Sequence, residues 1–516
     1  MAEQSPQETS PLMASHPSET TLTDQPLIDD EPSVSYFDMV KQECTWLSLS
    51  SVPLALSYFC QNSFVFISML SVGRLGVNEL AAASLSVMII NFTINMPCVG
   101  LACALETFCG TAFTGSKDKT QVGFHTQRGL VAVTLQLVPM AILFMFIDPL
   151  LEMIGQTEQV AALCGVFLRV WLLGSWPLVA FECLKRFVQA QGIMQAGTWV
   201  MTVVCPIHII ASQQLVWSDR FGLGFVGAPL ATVLTNWLLF FGLVGYIACS
   251  KAKEAWGGLT LSCIDGIWEF YRLAIPSAAM MACSWSVFEL VTFGSSIFGP
   301  VSLAAQACIF SAIAMTYQAP AAIGSATATR VGNSLGRGLQ RRARVSSYVS
   351  ICIGYVVGIS CAAMFYINRH SWGYMFTDNE DVVALCSKLM PFFIFVQTFD
   401  GMNGLVAGIL RALGKQSLGA TLAFPSFWIV AVPIGFYLGM GAPDLQVVGL
   451  WIGLTVGVVL YSLAQQAFIF WCIDWRQEVK VCFDRLAIST TSKTPSPAAS
   501  ILCVEHGAAN DYGTIV

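Results

Sequence analysis

Apolar residues in this chain run in long blocks rather than in the narrow stripes of surface helices. Twelve blocks lie near 47–71, 80–104, 129–147, 160–181, 198–216, 226–249, 273–297, 302–326, 346–367, 382–405, 419–440 and 447–471. At about 1.5 Å per residue, blocks of this length cross a hydrocarbon layer roughly 30 Å thick. The pattern predicts an all-α membrane protein with twelve transmembrane helices. Several blocks contain proline (Pro53, Pro97, Pro139, Pro276, Pro320, Pro433), which membrane helices tolerate as kinks. The longest polar break in the core, "SKAKEAWGGLTLSCIDGIWEFYR" at 250–272, divides six spans from six. The expected organisation is a disordered tail at 1–44, a first bundle at 45–250, a linker at 251–272, a second bundle at 273–475 and a tail at 476–516.

Composition agrees with the pattern. The chain is 55% hydrophobic and 11% charged, against about 25% charged in a soluble domain, and its mean hydropathy is +0.67. A soluble protein with many buried helices needs more charged surface than this. Residues 1–38 carry eight acids and no Lys or Arg, which excludes a basic nucleic-acid-binding arm. No basic stretch leads into an early apolar run, so the first span is expected to direct insertion itself. "ETSPLM" at 8–13 loosely resembles an acidic sorting signal and reads as ordinary tail. The eighteen cysteines are scattered with no CxxC pair, and read as packing residues rather than zinc ligands or disulfides.

The basic residues test the topology. Twenty of the twenty-five Lys and Arg fall in the tails and the even-numbered connections. Arg74, Arg220 and Arg369 fall on the opposite side, and Arg169 and Lys388 lie within spans. So strong a bias predicts that both termini face the cytosol.

The two halves resemble each other at an offset near 222. "VAALC" (160–164) faces "VVALC" (382–386). Gly110 pairs with Gly332, Glu158 with Glu380, Gly192 with Gly414, and Gly197 with Gly419. A shift across six helices preserves topology, so the halves are expected to be parallel repeats about an axis along the membrane normal. Two such bundles can rock about a central cavity, which argues for a transporter over a receptor or membrane enzyme.

Two intramembrane acids break the symmetry. Glu289 is the only charge between Leu273 and Ile297, and its counterpart is Ile67. Asp400, beside Gly401 and Gly404, has Leu178 as its counterpart. A charged carboxylate at a helix centre costs about 2.5–3.5 kcal/mol, and a carboxyl taken out of water holds its proton more readily. Such a group can carry a proton or pair with a cation, and binding one excludes the other. The alternatives are a neutral Glu289 bonded to a neighbouring helix and a helix interruption at Asp400. Glu106 reads as a structural acid paired with Arg128 or Lys185, and Glu182 as a local partner of Lys185 and Arg186. Trp285, four residues before Glu289, shares its face. With Gln61, Gln306, Tyr317 and Asn403 it is a candidate to line the cavity, as are Asn62, Asn91, Asn95 and Gln318. Some of these will only bond between helices. The sequence contains no metal-binding cluster, nucleophile–base arrangement or Walker motif, and "GLGFVG" (222–227) follows no strand. No cofactor and no direct ATP drive are expected.

In order and spacing, a series of motifs resembles the multidrug and toxic compound extrusion (MATE) family, closest to fungal-type members of its eukaryotic branch. These include "SVGRLGVNELAAASL" (71–85), "ALETFCGTAFTG" (104–115), "FVQAQG" (187–192), "WSVFELVTFGSSIFG" (285–299), "ATATRVGNSLGRG" (326–338) and "FDGMNGLVAGILRALGKQSLGA" (399–420). The resemblance covers roughly residues 45–475. It implies a V-shaped pair of six-helix lobes that exports organic molecules against an ion gradient, typically of protons. Glu289 and Asp400 fall on that branch's span-seven and span-ten acids. The first span has no acid, unlike many bacterial relatives. "GATLAFPSFWIVAVPIG" (419–435) lacks the usual Asn and paired tyrosines. The expected protein is therefore a monomeric, proton-coupled antiporter in the plasma or vacuolar membrane. Its partners are the lipid bilayer, protons and a small organic, cationic or amphipathic substrate. The rivals are a sodium-coupled exporter of the same fold, a lipid flippase and a receptor.

Overall fold

The computed structural model describes residues 34–220, 222–441 and 444–491, which are helical with no strand among them. The sorting-like "ETSPLM" lies outside the described residues.

The first lobe begins with α1 (Tyr36–Val72). The second span is two helices, α2 (Val77–Ile90) and α3 (Met96–Gly115), joined through a wide turn at Asn91–Asn95. Then come α4 (Gln121–Met145), short α5 (Ile147–Met153), α6 (Glu158–Leu172), α7 (Ser175–Ala190), α8 (Ala196–Trp217) and α9 (Gly227–Cys249). The fourth span is broken: α6 and α7 meet at 49°. The second lobe repeats the order with α10 (Ile267–Ile297), α11 (Pro300–Thr316), α12 (Gln318–Gly336), α13 (Gln340–Ile367) and α14 (Glu380–Leu413). The eleventh span is α15 (Gln416–Phe424) and α16 (Val432–Met440), joined by a wide turn at Pro425–Ala431, and α17 (Val447–Ala467) completes the bundle. Among the described residues, eleven helices, or twelve with the bent pair counted as one span, are long and apolar enough to cross a membrane.

The repeat survives at the level of the backbone. Gly192 and Gly414 follow the ends of α7 and α14 with φ of 81° and 73°, a left-handed helix-ending conformation that glycine adopts without steric cost. Glu158 and Glu380 open α6 and α14, where an acid suits the helix dipole.

Helices extend past their apolar blocks at the end of the molecule that carries most Lys and Arg, the basic end. The first helix starts at Tyr36 rather than 47, and α3, α12 and α14 run to Gly115, Gly336 and Leu413. These extensions carry charges that pair with one another across helices, so apolarity ends where the helix does not. The expected disordered tail to residue 44 is thus helical from Tyr36. The expected C-terminal tail contains α18 (Trp475–Thr491), whose Trp475, Val479, Cys482 and Leu486 are buried. The linker is strapped to α4. Arg128 donates to the carbonyls of Cys263 and Asp265, and Gln127 bonds Gly258 O at 2.8 Å and Thr260 N at 2.9 Å.

The lobes meet through the basic-end halves of their second spans. Helix α3 packs on α10, α12 and α14, and α1 packs on α12 and α13. The opposite halves, α2 and α11, pack mainly within their own lobes. One hydrophobic core runs through the first lobe into the basic-end half of the second, including Ile323, Val331, Leu405 and Ile409. A separate core, with Phe393, Phe427, Trp451 and Tyr461, fills the rest of the second lobe. The lobes are therefore joined at the basic end and diverge away from it. Gly110 and Gly332, repeat mates, touch at this junction: a Cβ on Gly110 would lie 3.7 Å from the Gly332 Cα.

Candidate functional site

Two kinds of acid occupy the bundle. Asp148 pairs with Arg169 at 3.0 Å, Glu182 with Lys185 at 2.7 Å, Glu106 with Arg186 and Arg411, and Glu43 with Arg330 and Arg342. Glu289 and Asp400 form no ion pair among the described residues. Asp400 is 8% exposed, with Asn403 beside its carboxyl one turn on. Glu289 is half-buried on α10.

A ladder of polar groups lies between these two acids. Trp285 lies one turn from Glu289 and is 38% exposed. Trp285 and Asp400 both lie near the Tyr317 hydroxyl. Tyr317 sits at the break between α11 and α12, with its hydroxyl over the face of Gly404, 2.6 Å from where a Cβ would stand. Gly401 is likewise packed on Pro320. The glycines flanking Asp400 therefore admit α12 and its break against α14. They do not interrupt α14, which is continuous from Glu380 to Leu413. Tyr461 of α17, 1% exposed, stands near Ser284 on the ladder's inner side. The depths of the acids differ from those implied by the apolar blocks. Glu289 lies eight residues from the non-basic end of α10, whereas Asp400 is near the middle of α14.

The other candidates are divided between the cavity wall and the packed interior. Gln306 is 1% exposed and bonds the Trp451 indole at 2.8 Å and Thr292 at 3.3 Å, so it belongs to the interior of the second lobe. Asn403 is also buried, between Asp400 and Val458 O. Gln61 donates to Glu182 at 3.1 Å, and Asn62 only to its own helix at Tyr58 O. Asn95 bonds Asn91 at 2.8 Å within the wide turn, and Gln318 bonds Ala314 O.

Glu106 is indeed ion-paired, but with other partners than Arg128 or Lys185. One oxygen lies 3.2 Å from Arg186 of its own lobe and the other 2.6 Å from Arg411 of the second lobe. Arg128 is instead spent on the linker carbonyls, and Lys185 on Glu182. Beside this pair Thr107 donates to Arg411 O and accepts from Gln416 at 2.8 Å. Arg186 also reaches Tyr58 and Ser325, which bond each other at 2.8 Å across the lobes. A second cluster holds the start of α1. Glu43, fully buried, receives bonds from Arg330 at 2.6 and 2.8 Å and from Ser346 at 2.5 Å, with Arg342 at 3.1 Å. The apolar pattern missed Glu43, Arg330, Arg342 and Arg411 as partners because each lies outside or at the margin of an apolar block. The available signal was their position inside helices that continue beyond those blocks.

The MatE family model matches the chain twice, over residues 53–212 and 276–437, once in each lobe. An uncharacterized transporter of Schizosaccharomyces pombe is 32% identical over 443 residues, 85% of this chain and 81% of that protein. Protein DETOXIFICATION 14 of Arabidopsis thaliana is 29% identical over 467 residues, 89% of this chain and 94% of that one. The crystal structure of the eukaryotic MATE transporter AtDTX14 superposes with a TM-score of 0.79 at 27% identity, covering 86% of this chain and 98% of that chain. The Vibrio cholerae MATE transporter VcmN shares the fold with a TM-score of 0.77 at 18% identity, over 84% of this chain and 97% of its own. The twin bundles, the repeat and these matches agree: the chain is a multi-pass membrane protein that belongs to the MATE family of transporters.

Proposed function

We propose that this transporter is an antiporter that exports organic, cationic or amphipathic compounds from the cytosol in exchange for protons. In this reading the basic end faces the cytosol, and the closed junction there makes this the outward-open shape. One observation carries the reading: of the acids held within the bundle, Glu289 and Asp400 alone are without a cation among the described residues, and both stand on the polar ladder of the second lobe. A carboxyl with no fixed counter-charge is free to exchange a proton for an organic cation, because the two compete for the same charge. Glu289, nearer the open side, is the leading exchange group, and Asp400 is its deeper partner. Trp285 offers an exposed aromatic face to a cation, a contact worth roughly 0.5–2 kcal/mol.

The test is flux in proteoliposomes of the purified chain, with ethidium as the probe cation. An imposed pH gradient should drive ethidium transport, and Glu289→Gln should abolish that drive. If a sodium gradient substitutes fully for the pH gradient, the proton assignment is wrong. Movement of labelled lipid between leaflets without ethidium flux would make the protein a flippase.

A further inference from the structure

We infer that the Glu106–Arg411 pair is the gate of the basic end, and that α14 acts as a rod carrying the state of Asp400 to it. The inference rests on the antiport reading above and goes beyond it, by turning an acid that reads as structural into a moving part.

Asp400 and Arg411 stand on one uninterrupted helix, eleven residues apart, or roughly 16 Å along its axis. The equivalent segment of the first lobe cannot serve this way, since α6 and α7 are bent by 49° at their junction. The rod is also closely seated. A Cβ on Gly408 would come within 2.2 Å of Gly324 O, and one on Gly401 within 2.8 Å of Pro320. A shift of α14 on α12 at the level of Asp400 therefore has little slack before it reaches Arg411.

At the rod's end the chemistry suits a contact that must break and re-form. Glu106 bridges the lobes, with Arg186 on its own side at 3.2 Å and Arg411 on the other at 2.6 Å. When the lobes part, Glu106 keeps Arg186, and Arg411 is released into entering water. No buried carboxylate is orphaned. The cost is that of one charge-assisted contact rather than of an isolated buried charge. Glu43 is different, because both its arginines lie in the second lobe, so the start of α1 travels with that lobe.

The groups facing Asp400 are few. Tyr317 approaches from the α11–α12 break and also lies within electrostatic reach of Arg411, and Tyr461 of α17 and Cys283 of α10 lie in the same neighbourhood. On the α13 side Tyr355 is bonded to Gln466 and set edge-on to Phe399. No lysine, arginine or histidine pairs with Asp400 among the described residues, so its own proton is the largest change in local charge that the site can make.

Cys103 is a native reporter. It is 3% exposed, and its sulfur lies 3.7 Å from Arg186 inside the closed junction. The full chain in nanodiscs is treated with a membrane-impermeant maleimide at pH 6 and pH 8, and alkylation is read by peptide mass spectrometry. Rates are normalised to exposed Cys472 to remove the reagent's own pH dependence. The normalised Cys103 rate should differ by about tenfold between the two pH values in the parent. Asp400→Asn should flatten that ratio to near unity. Glu106→Gln should give fast labelling at both pH values, as should E106Q/R411Q, which removes both charges of the bridge and covers the case where the single variant does not fold. A parent rate independent of pH, or an Asp400→Asn variant with the parental ratio, overturns the inference. If the parent's pH-driven ethidium flux persists alongside either result, the antiport reading stands and only the rod fails; if the parent shows no such flux, the antiport reading itself is wrong.

Discussion

Glu289 and Glu106 are the same side chain in opposite circumstances, and one substitution should separate them. Glu289→Gln removes a carboxyl that no cation depends on. Thermal unfolding in detergent should stay within about 1 kcal/mol of the parent, while pH-driven flux is lost. Glu106→Gln leaves Arg186 and Arg411 sharing no counter-charge, and should cost about 3 kcal/mol, seen as a lowered unfolding midpoint. Equal destabilisation by the two substitutions would show that Glu289 has a structural partner after all. Both acids were visible in the sequence as charges against an apolar background, and the repeat marked Glu289 as unmirrored. The partner of Glu106 was not legible, because Arg411 lies 305 residues away and local spacing points instead to nearer basic residues.

Among the elements, α14 shows what an apolar block reveals and conceals. Its existence and direction follow from the block at 382–405, but its last eight residues do not, since they include Arg411 and end where the chain has already left the apolar layer. The purpose of its glycines was likewise hidden. "DGMNG" reads equally as a helix break, and only the packing of Gly401 on Pro320 and of Gly404 beneath Tyr317 shows that they admit a neighbour. Gly408 is the most constrained of these against backbone. Gly408→Ala should force α14 from α12 and cost about 1–3 kcal/mol, measured as a fall in unfolding midpoint. Gly192→Ala, where nothing stands within 4 Å of the added carbon, should cost only the strain of its positive φ, about 1 kcal/mol. The wide turns at Asn91–Asn95 and Pro425–Ala431 left no mark in the apolar pattern, because one extra residue per turn does not change which residues are apolar.

At the scale of the whole molecule, the offset of 222 predicted two lobes related by a rotation, and the contact between Gly110 and Gly332 places the junction on that relation. A pair of cysteines at these positions would have the short Cα separation that a disulfide needs. Gly110→Cys/Gly332→Cys should therefore cross-link under oxidant, block ethidium flux, and recover it on reduction, with the single Gly110→Cys variant as the control for the native thiols. Flux that continues through a fully formed cross-link would mean that the lobes need not part at the basic end. What the sequence could not convey was where the lobes close. That depends on ion pairs assembled from residues hundreds of positions apart and from both lobes.

The burial of Glu43 also has a consequence in time. It is made 287 residues before Arg330 and 303 before Ser346. At about 5–20 residues per second, the ribosome needs roughly 15–60 s to supply those partners. Throughout that interval the carboxylate lacks its folded-state partners Arg330, Arg342 and Ser346, so the first turns of α1 are expected to wait in water while the span behind them is already inserted. The start of α1 is therefore among the last of the described segments to reach its native place. A nascent protein halted before the second lobe would display residues 36–46 as an undocked segment, available to whatever surveys unfinished membrane proteins.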